Sequence, residues 1–212
     1  MQLPPVPAGR LHLDAPGAPD HMGQVFGRLG YLRRMPSARG TLDWSPAATH
    51  PELLAPPVAA ALDAVPSALV APIEETLADT AAFCAAYDVS PAASANCVVV
   101  AGRRGETVTY AAVMVLATHR ADVNGTVRRH LGARKISFAA HDDAVGLTGM
   151  EFGGITPVGL PEGWPVLVDE AVVAAGEVVI GSGLRRSKLL LTGVDLLSLP
   201  GAEPLALASP LA

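Results

Sequence analysis

Residues 148–163, TGMEFGGITPVGLPEG, gather glycines and prolines around Ile155 and Thr156. A Gly-Gly pair reaches backbone angles closed to other residues and leaves bare N–H groups, and the prolines that follow stiffen the exit from the turn. Such a segment can form a rigid backbone cradle. The plainer alternative is a long surface loop. Asp169, closing the apolar run PVLVD, is a second candidate, because a carboxylate at the end of a buried strand needs hydrogen bonds or a cleft to face. It can equally cap the segment that begins at Glu170. Arg120, Arg128, Arg129, Arg134 and Lys135 crowd one stretch, and Arg185, Arg186 and Lys188 form another. Arginine forks match phosphate oxygens, so these groups are either a phosphate-facing patch or ordinary solvated surface.

Other chemistries find little support. No CxxC, HExxH or clustered histidine spacing suggests a metal: His119, His130 and His141 fall on a hairpin end, a helix and a loop. There is no nucleophile elbow and no P-loop, and GSGLRR does not complete a dinucleotide-binding fingerprint. Cys84 and Cys97 sit in apolar surroundings without a nearby cation, which suits small core residues in a reducing compartment better than a disulfide or a catalytic thiol. The net charge of −5 opposes non-specific wrapping of long nucleic acid such as DNA, and no cofactor is called for. The apolar runs are too short to span a membrane and the N-terminus lacks a leader pattern, so the expected location is the cytoplasm.

The elements that must position these residues become legible after residue 65. Residues 1–65 are rich in Pro, Ala and Gly and read as an extension packed on a main domain of residues 66–212, with one possible amphipathic helix in HMGQVFGRLGYLRRMP. ALVAPIEE reads as a strand, and Asp79 can cap a helix TAAFCAAY. NCVVVAG and TVTYAAVMVLAT are β-branched runs joined by RRGE, the pattern of a hairpin. Asp122 or Asn124 can start a helix whose Val123, Val127 and Leu131 repeat every four residues, with Gly132 ending it and the arginines opposite. KISFA is a strand and HDDAVGLTG a helix closed by Gly149; PVLVDEAVV and EVVIGSG are buried strands, or a strand with a short helix between, and SKLLLTG is another strand. Hairpins mixed with helices, without strict strand–helix alternation, predict an α+β domain with a mixed, curled or barrel-like sheet and short surrounding helices.

The order DVNGTVRRHLGARKISFA, TGMEFGGITPVGLP, PVLVDEAV and EVVIGSG resembles the YbaK-like family, the editing domains associated with prolyl-tRNA synthetase, over roughly residues 66–200. The resemblance implies that fold, hydrolysis of mischarged aminoacyl-tRNA in the service of translation fidelity, and binding of the acceptor end of tRNA. It puts the family's GxxxP loop on Gly153, Gly154, Ile155, Thr156 and Pro157, whose backbone would hold the aminoacyl ester, with glycine required because a side chain would take the substrate's place. It implies that Asp169 meets the α-ammonium group and that Ser182 and Gly183 line the same pocket. Arg120, Arg128, Arg129, Arg134 and Lys135 would face tRNA phosphates. Where the family commonly has a lysine, at the start of NCVVVAG, this chain has Asn96, which can hydrogen-bond but carries no charge. Three readings therefore stay open: a deacylase, a catalytically weak relative that binds aminoacyl-tRNA or an amino-acid-like ligand, and an interaction protein.

Overall fold

The computed structural model describes residues 37–211, so the amphipathic segment expected around residues 21–36 lies outside them. The strands are β1 (Ser45–Pro46), β2 (Leu69–Pro72), β3 (Ala95–Arg104), β4 (Thr107–Leu116), β5 (His119–Ala121), β6 (Lys135–Phe138), β7 (Val166–Asp169), β8 (Glu177–Gly181), β9 (Ser187–Thr192), β10 (Ala202–Leu205) and β11 (Ala208–Pro210). The α-helices are short: α1 (Pro56–Ala60), α2 (Thr80–Tyr87), α3 (Arg128–His130), α4 (His141–Thr148) and α5 (Glu170–Ala174). Among the described residues no helix is long and apolar enough to cross a membrane.

The expected hairpin is the backbone of the fold. β3 and β4 pair antiparallel from Ala95 opposite Leu116 to Arg104 opposite Thr107, so the turn is the pair Gly105-Glu106, with Gly105 supplying a φ of 64°. A five-stranded mixed sheet grows around it in the order β10-β7-β4-β3-β6, with β7 parallel to both neighbours. A second, antiparallel sheet runs β1-β2-β9-β8, and β5 pairs with β11. A single bridge from Ser94 to Val179 ties the start of β3 to β8, where the two larger sheets meet. This is the mixed α+β architecture that the hairpins interspersed with helices predicted.

Side chains alternate between the two faces of each strand, and in β4, β7 and β9 both faces are buried over most of the length. Met114, Leu116, Val166 and Val168 face Val178, Ile180, Leu189 and Leu191 in one core between the sheets. Leu54, Ala55, Val58 and Val65 complete that core, so the described part of the N-terminal extension is built into it. On the outer face of the second sheet, Val179 and Leu190 pack under Phe83 and Cys84 of α2. The turn after Asp122 is a π-helix, Val123–Val127, that passes into α3 where a continuous α-helix was expected. Its start is nevertheless the predicted one: the Asp122 carboxylate accepts from the Gly125 and Thr126 N–H groups at 2.9 and 2.8 Å. Val123 and Val127 pack on Val100, Val113 and Leu167. Helix α4 ends as predicted, on Gly149 in the left-handed region at φ 64°.

Candidate active site

The seam between the sheets opens into a cavity of ≈ 500 Å³. One wall is the start of β3, with Asn96, Cys97 and Val98; the other is the end of β8 and the start of β9, with Ile180, Gly181 and Lys188. Gly153 and Ile155 of the Gly-Pro loop enter from one side, and Ala78, Asp79 and Thr80 from another. Phe138 and Phe152 stand at the mouth, 65% and 55% exposed, and the Phe152 ring lies 4.8 Å from that of His141.

Three of the residues that the resemblance assigned to the site thus share the cavity, Asn96, Gly153 and Ile155, together with Lys188 of the second basic group. The Asn96 amide is oriented by Thr80, whose hydroxyl donates to Asn96 Oδ1 at 2.6 Å, leaving the Nδ2 donor uncommitted. The backbone N–H groups of Gly153 and Ile155 have no hydrogen-bond partner among the described residues. Gly153 holds φ at 87°, and a Cβ there would meet the guanidinium of Arg185. That guanidinium closes over the loop, donating to the Phe152 carbonyl and to the Glu75 carbonyl, both at 3.3 Å, and lying 3.8 Å from Asp79.

The other predicted residues have different surroundings. A Cβ on Gly154 would meet the Leu184 backbone at 2.6–2.9 Å, so this glycine lets the loop pack on the turn before β9. The Gly154 carbonyl accepts from Gly183 N–H at 2.8 Å. Gly183, at φ 83°, packs against Ala55, Val58 and Met150. Ser182 is buried beside Ser187, with hydroxyls 2.8 Å apart. Thr156 is buried with its hydroxyl unpaired, and Pro157 lines a separate groove with Trp164 and Leu199. Asp169 accepts from three backbone N–H groups, those of Ala171, Leu207 and Ala208, at 2.9–3.1 Å. It caps α5 and holds the chain between β10 and β11, the capping role the sequence allowed for it.

Among the basic residues, β6 begins at Lys135 and runs along the sheet edge to Phe138 at the cavity mouth; Arg134 immediately precedes it, and Arg103 pairs with Lys135 in register. Arg128 and Arg129 lie on the helical turn before it, and Arg120 is on β5. The second group is committed internally: besides the bonds of Arg185, Arg186 donates to the Glu52 carbonyl at 2.9 Å, and Lys188 is buried.

Sequence reading did not place Asp79, Thr80 or the two phenylalanines at a cavity, and it took Lys188 only as one of a basic group. Burial holds the Lys188 ammonium down at about 8, helped by Arg185. Desolvation on the cavity wall pushes the Cys97 thiol up to about 12, so it is no thiolate nucleophile. The signal for Lys188 was present in SKLLLT, a charge inside an otherwise buried apolar strand.

The model of the aminoacyl-tRNA editing domain matches residues 74–199, more than half of the chain. The chain belongs to that family. Every cavity-lining residue named above falls within the matched span. The editing domain superposes on a crystal structure described as a candidate trans-editing enzyme for prolyl tRNA synthetase, with a TM-score of 0.63 and 24% identity over 78% of this chain and 98% of that one. It also superposes on the hypothetical protein APE2540, with a TM-score of 0.59 and 21% identity over 66% and 90% of the two chains. At these identities the likeness speaks for the fold. No curated protein matches the sequence.

Proposed function

We propose that this editing domain acts in the cytoplasm as a trans-editing aminoacyl-tRNA deacylase, taking the 3′ end of a mischarged tRNA into the cavity between its sheets. The reading is carried by one observation: Asn96, Gly153 and Ile155 offer three uncommitted N–H donors around a cavity of ≈ 500 Å³ inside the segment that matches the editing family. Donors fixed in place before reaction stabilise an oxygen that becomes negative as the ester carbonyl is attacked. Water adds to the carbonyl carbon and the bond to the ribose oxygen breaks. That oxygen takes one proton of the water, the amino acid leaves as its carboxylate, and the second proton goes to solvent. The adjacent ribose hydroxyl is placed to relay the proton, since positioning supplies most of the catalysis.

Asp79, the one carboxylate among the described residues that line the cavity, takes the α-ammonium group. Asp169 keeps its oxygens on backbone N–H groups. Phe138 and Phe152 offer faces on which the terminal base stacks, and Arg134 and Lys135, at the far end of β6, meet phosphates upstream of it.

Deacylation of a panel of mischarged tRNAs, measured against a protein-free blank, tests the reading. Multiple turnover of one or a few substrates is expected. Asp79→Asn and Phe138→Ala should each raise KM about tenfold, with base stacking worth roughly 1–3 kcal/mol. Blank-rate hydrolysis across the panel, with salt-sensitive tRNA binding retained, would instead identify a binding protein that keeps the cavity without the chemistry.

A further inference from the structure

Lys188 sits in a strand whose residues from Ser187 to Leu191 are all buried. It is 7% exposed and shares a sheet face with Leu190, which packs in the Phe83 cluster. A leucine or methionine would fill that place without taking a charge out of water. The ammonium carries three protons and, among the described residues, makes one hydrogen bond, to the Ala78 carbonyl at 2.8 Å, with the Phe83 ring centre 5.2 Å away. Among the described residues no carboxylate lies within the 4.0 Å that defines an ion pair. The charged and titratable groups that face it are Arg185, Asp79 and Cys84. Arg185 opposes its charge, Asp79 is 78% exposed and turned to Arg185, and burial keeps the Cys84 thiol protonated. A nearly dry cation therefore borders the cavity with donors to spare and no resident anion.

On the facing wall, Asn96 is neutral. We infer that the positive charge of this site enters from β9: Lys188 is the catalytic cation that stabilises the oxygen made negative when water adds to the ester carbonyl. The inference rests on the deacylase reading above. Lys188 forms no bond to carbon and gives up no proton. The carbonyl π pair moves onto oxygen as the water oxygen bonds to carbon, the ammonium donates a hydrogen bond to that oxygen, and the pair returns when the bond to the ribose oxygen breaks. An ammonium on the second sheet thus completes a set of donors whose other members, Asn96 Nδ2 and the loop N–H groups, are neutral.

The test uses the full chain and the tRNA it deacylates best. Loss of one oxyanion donor typically lowers kcat by about 10²–10³-fold, so Lys188→Met should lower kcat about a hundredfold with KM within threefold. The double variant Asn96→Lys, Lys188→Met should recover at least tenfold by restoring a cation from the β3 side. The decline of wild-type kcat/KM above pH 8, after subtraction of the blank, should be missing in Lys188→Met. Turnover by Lys188→Met within threefold of wild type would overturn the inference.

A second readout needs neither a folded variant nor turnover. Wild-type protein labelled with ¹³C at lysine Cε is titrated with and without the adenosine 3′-monoester of an aminoalkylphosphonate, whose anionic oxygen mimics the tetrahedral intermediate. An upward move of the Lys188 titration midpoint supports the inference and an unmoved midpoint overturns it. Blank-rate hydrolysis by the wild type, by contrast, overturns the deacylase reading and leaves this titration to judge Lys188 by itself.

Discussion

In the role proposed for it, Lys188 sets function against stability at a single position. Its ammonium titrates near about 8 in the folded chain against 10.5 for an ordinary lysine. Below pH 8 folded and unfolded chains both hold the proton, and the folded state bears the whole cost of burying it. Between about 8 and 10.5 the unfolded chain binds more protons, so stability rises with pH; above 10.5 the cost has gone. The shift corresponds to a cost on the order of 3 kcal/mol. Replacing the lysine by methionine also leaves the Ala78 carbonyl without its partner, worth ~1 kcal/mol. Urea unfolding should therefore find Lys188→Met about 2 kcal/mol more stable than wild type at pH 7, with the advantage shrinking toward pH 10.5. A less stable variant at pH 7 would mean that the lysine is a structural anchor. Stability gained at the expense of turnover is the usual mark of a residue kept for chemistry.

At the scale of elements, the Gly-Pro loop divides its two glycines between different tasks. Gly153 faces the cavity under Arg185, whereas Gly154 is pressed against the Leu184 backbone. Gly154→Ala should cost about 2–4 kcal/mol in urea unfolding, because backbone cannot move aside as a side chain can. Gly153→Ala should cost less, about 1–2 kcal/mol for the left-handed conformation, with Arg185 free to swing away. Equal losses at the two positions would contradict this division. The loop was legible in the sequence, as were the β3–β4 hairpin, the cap at Asp122 and the Gly149 stop, since each is written in adjacent residues. Strands β10 and β11 were not: AEPL and ASP are too short and too polar to stand out, and they exist because β7 and β5 offer partners. The side to which Lys188 points was hidden for a related reason. An almost wholly buried run shows no alternation, so only the packing of α2 on that face and of the inner core on the other decides where the charge goes.

For the whole molecule, a net charge of −5 is compatible with tRNA binding because the basic residues are segregated. None of Arg103, Arg134 and Lys135, together at the outer end of the β3–β6 pair, belongs to an ion pair among the described residues. Each phosphate contact released should reduce the slope of log Kd against log salt by about 0.7–0.9. Arg134→Ala and Lys135→Ala should each weaken tRNA binding and flatten that slope by nearly one contact while leaving kcat unchanged. An unchanged slope would move the tRNA path off β6, with Arg128 and Arg129 the next segment to test. The match to the editing family begins at residue 74, yet Leu54, Ala55, Val58 and Val65 help fill the core behind the cavity. Truncation to the family segment should therefore leave that core incomplete.

The walls of the cavity belong to two sheets joined at their meeting line by the bridge between Ser94 and Val179. Each wall is stiffened by its own ladder, while the gap between them is set by how the two ladders lie against one another. Residues far from the ligand that alter the seating of one sheet on the other change the calibre of the chamber without touching its lining. On the proposed deacylase reading, discrimination among amino acids that differ by a methyl group is then a tolerance of assembly, spread over the inner core. A search for specificity variants should include Met114, Val178 and Leu189 beside the residues that line the cavity.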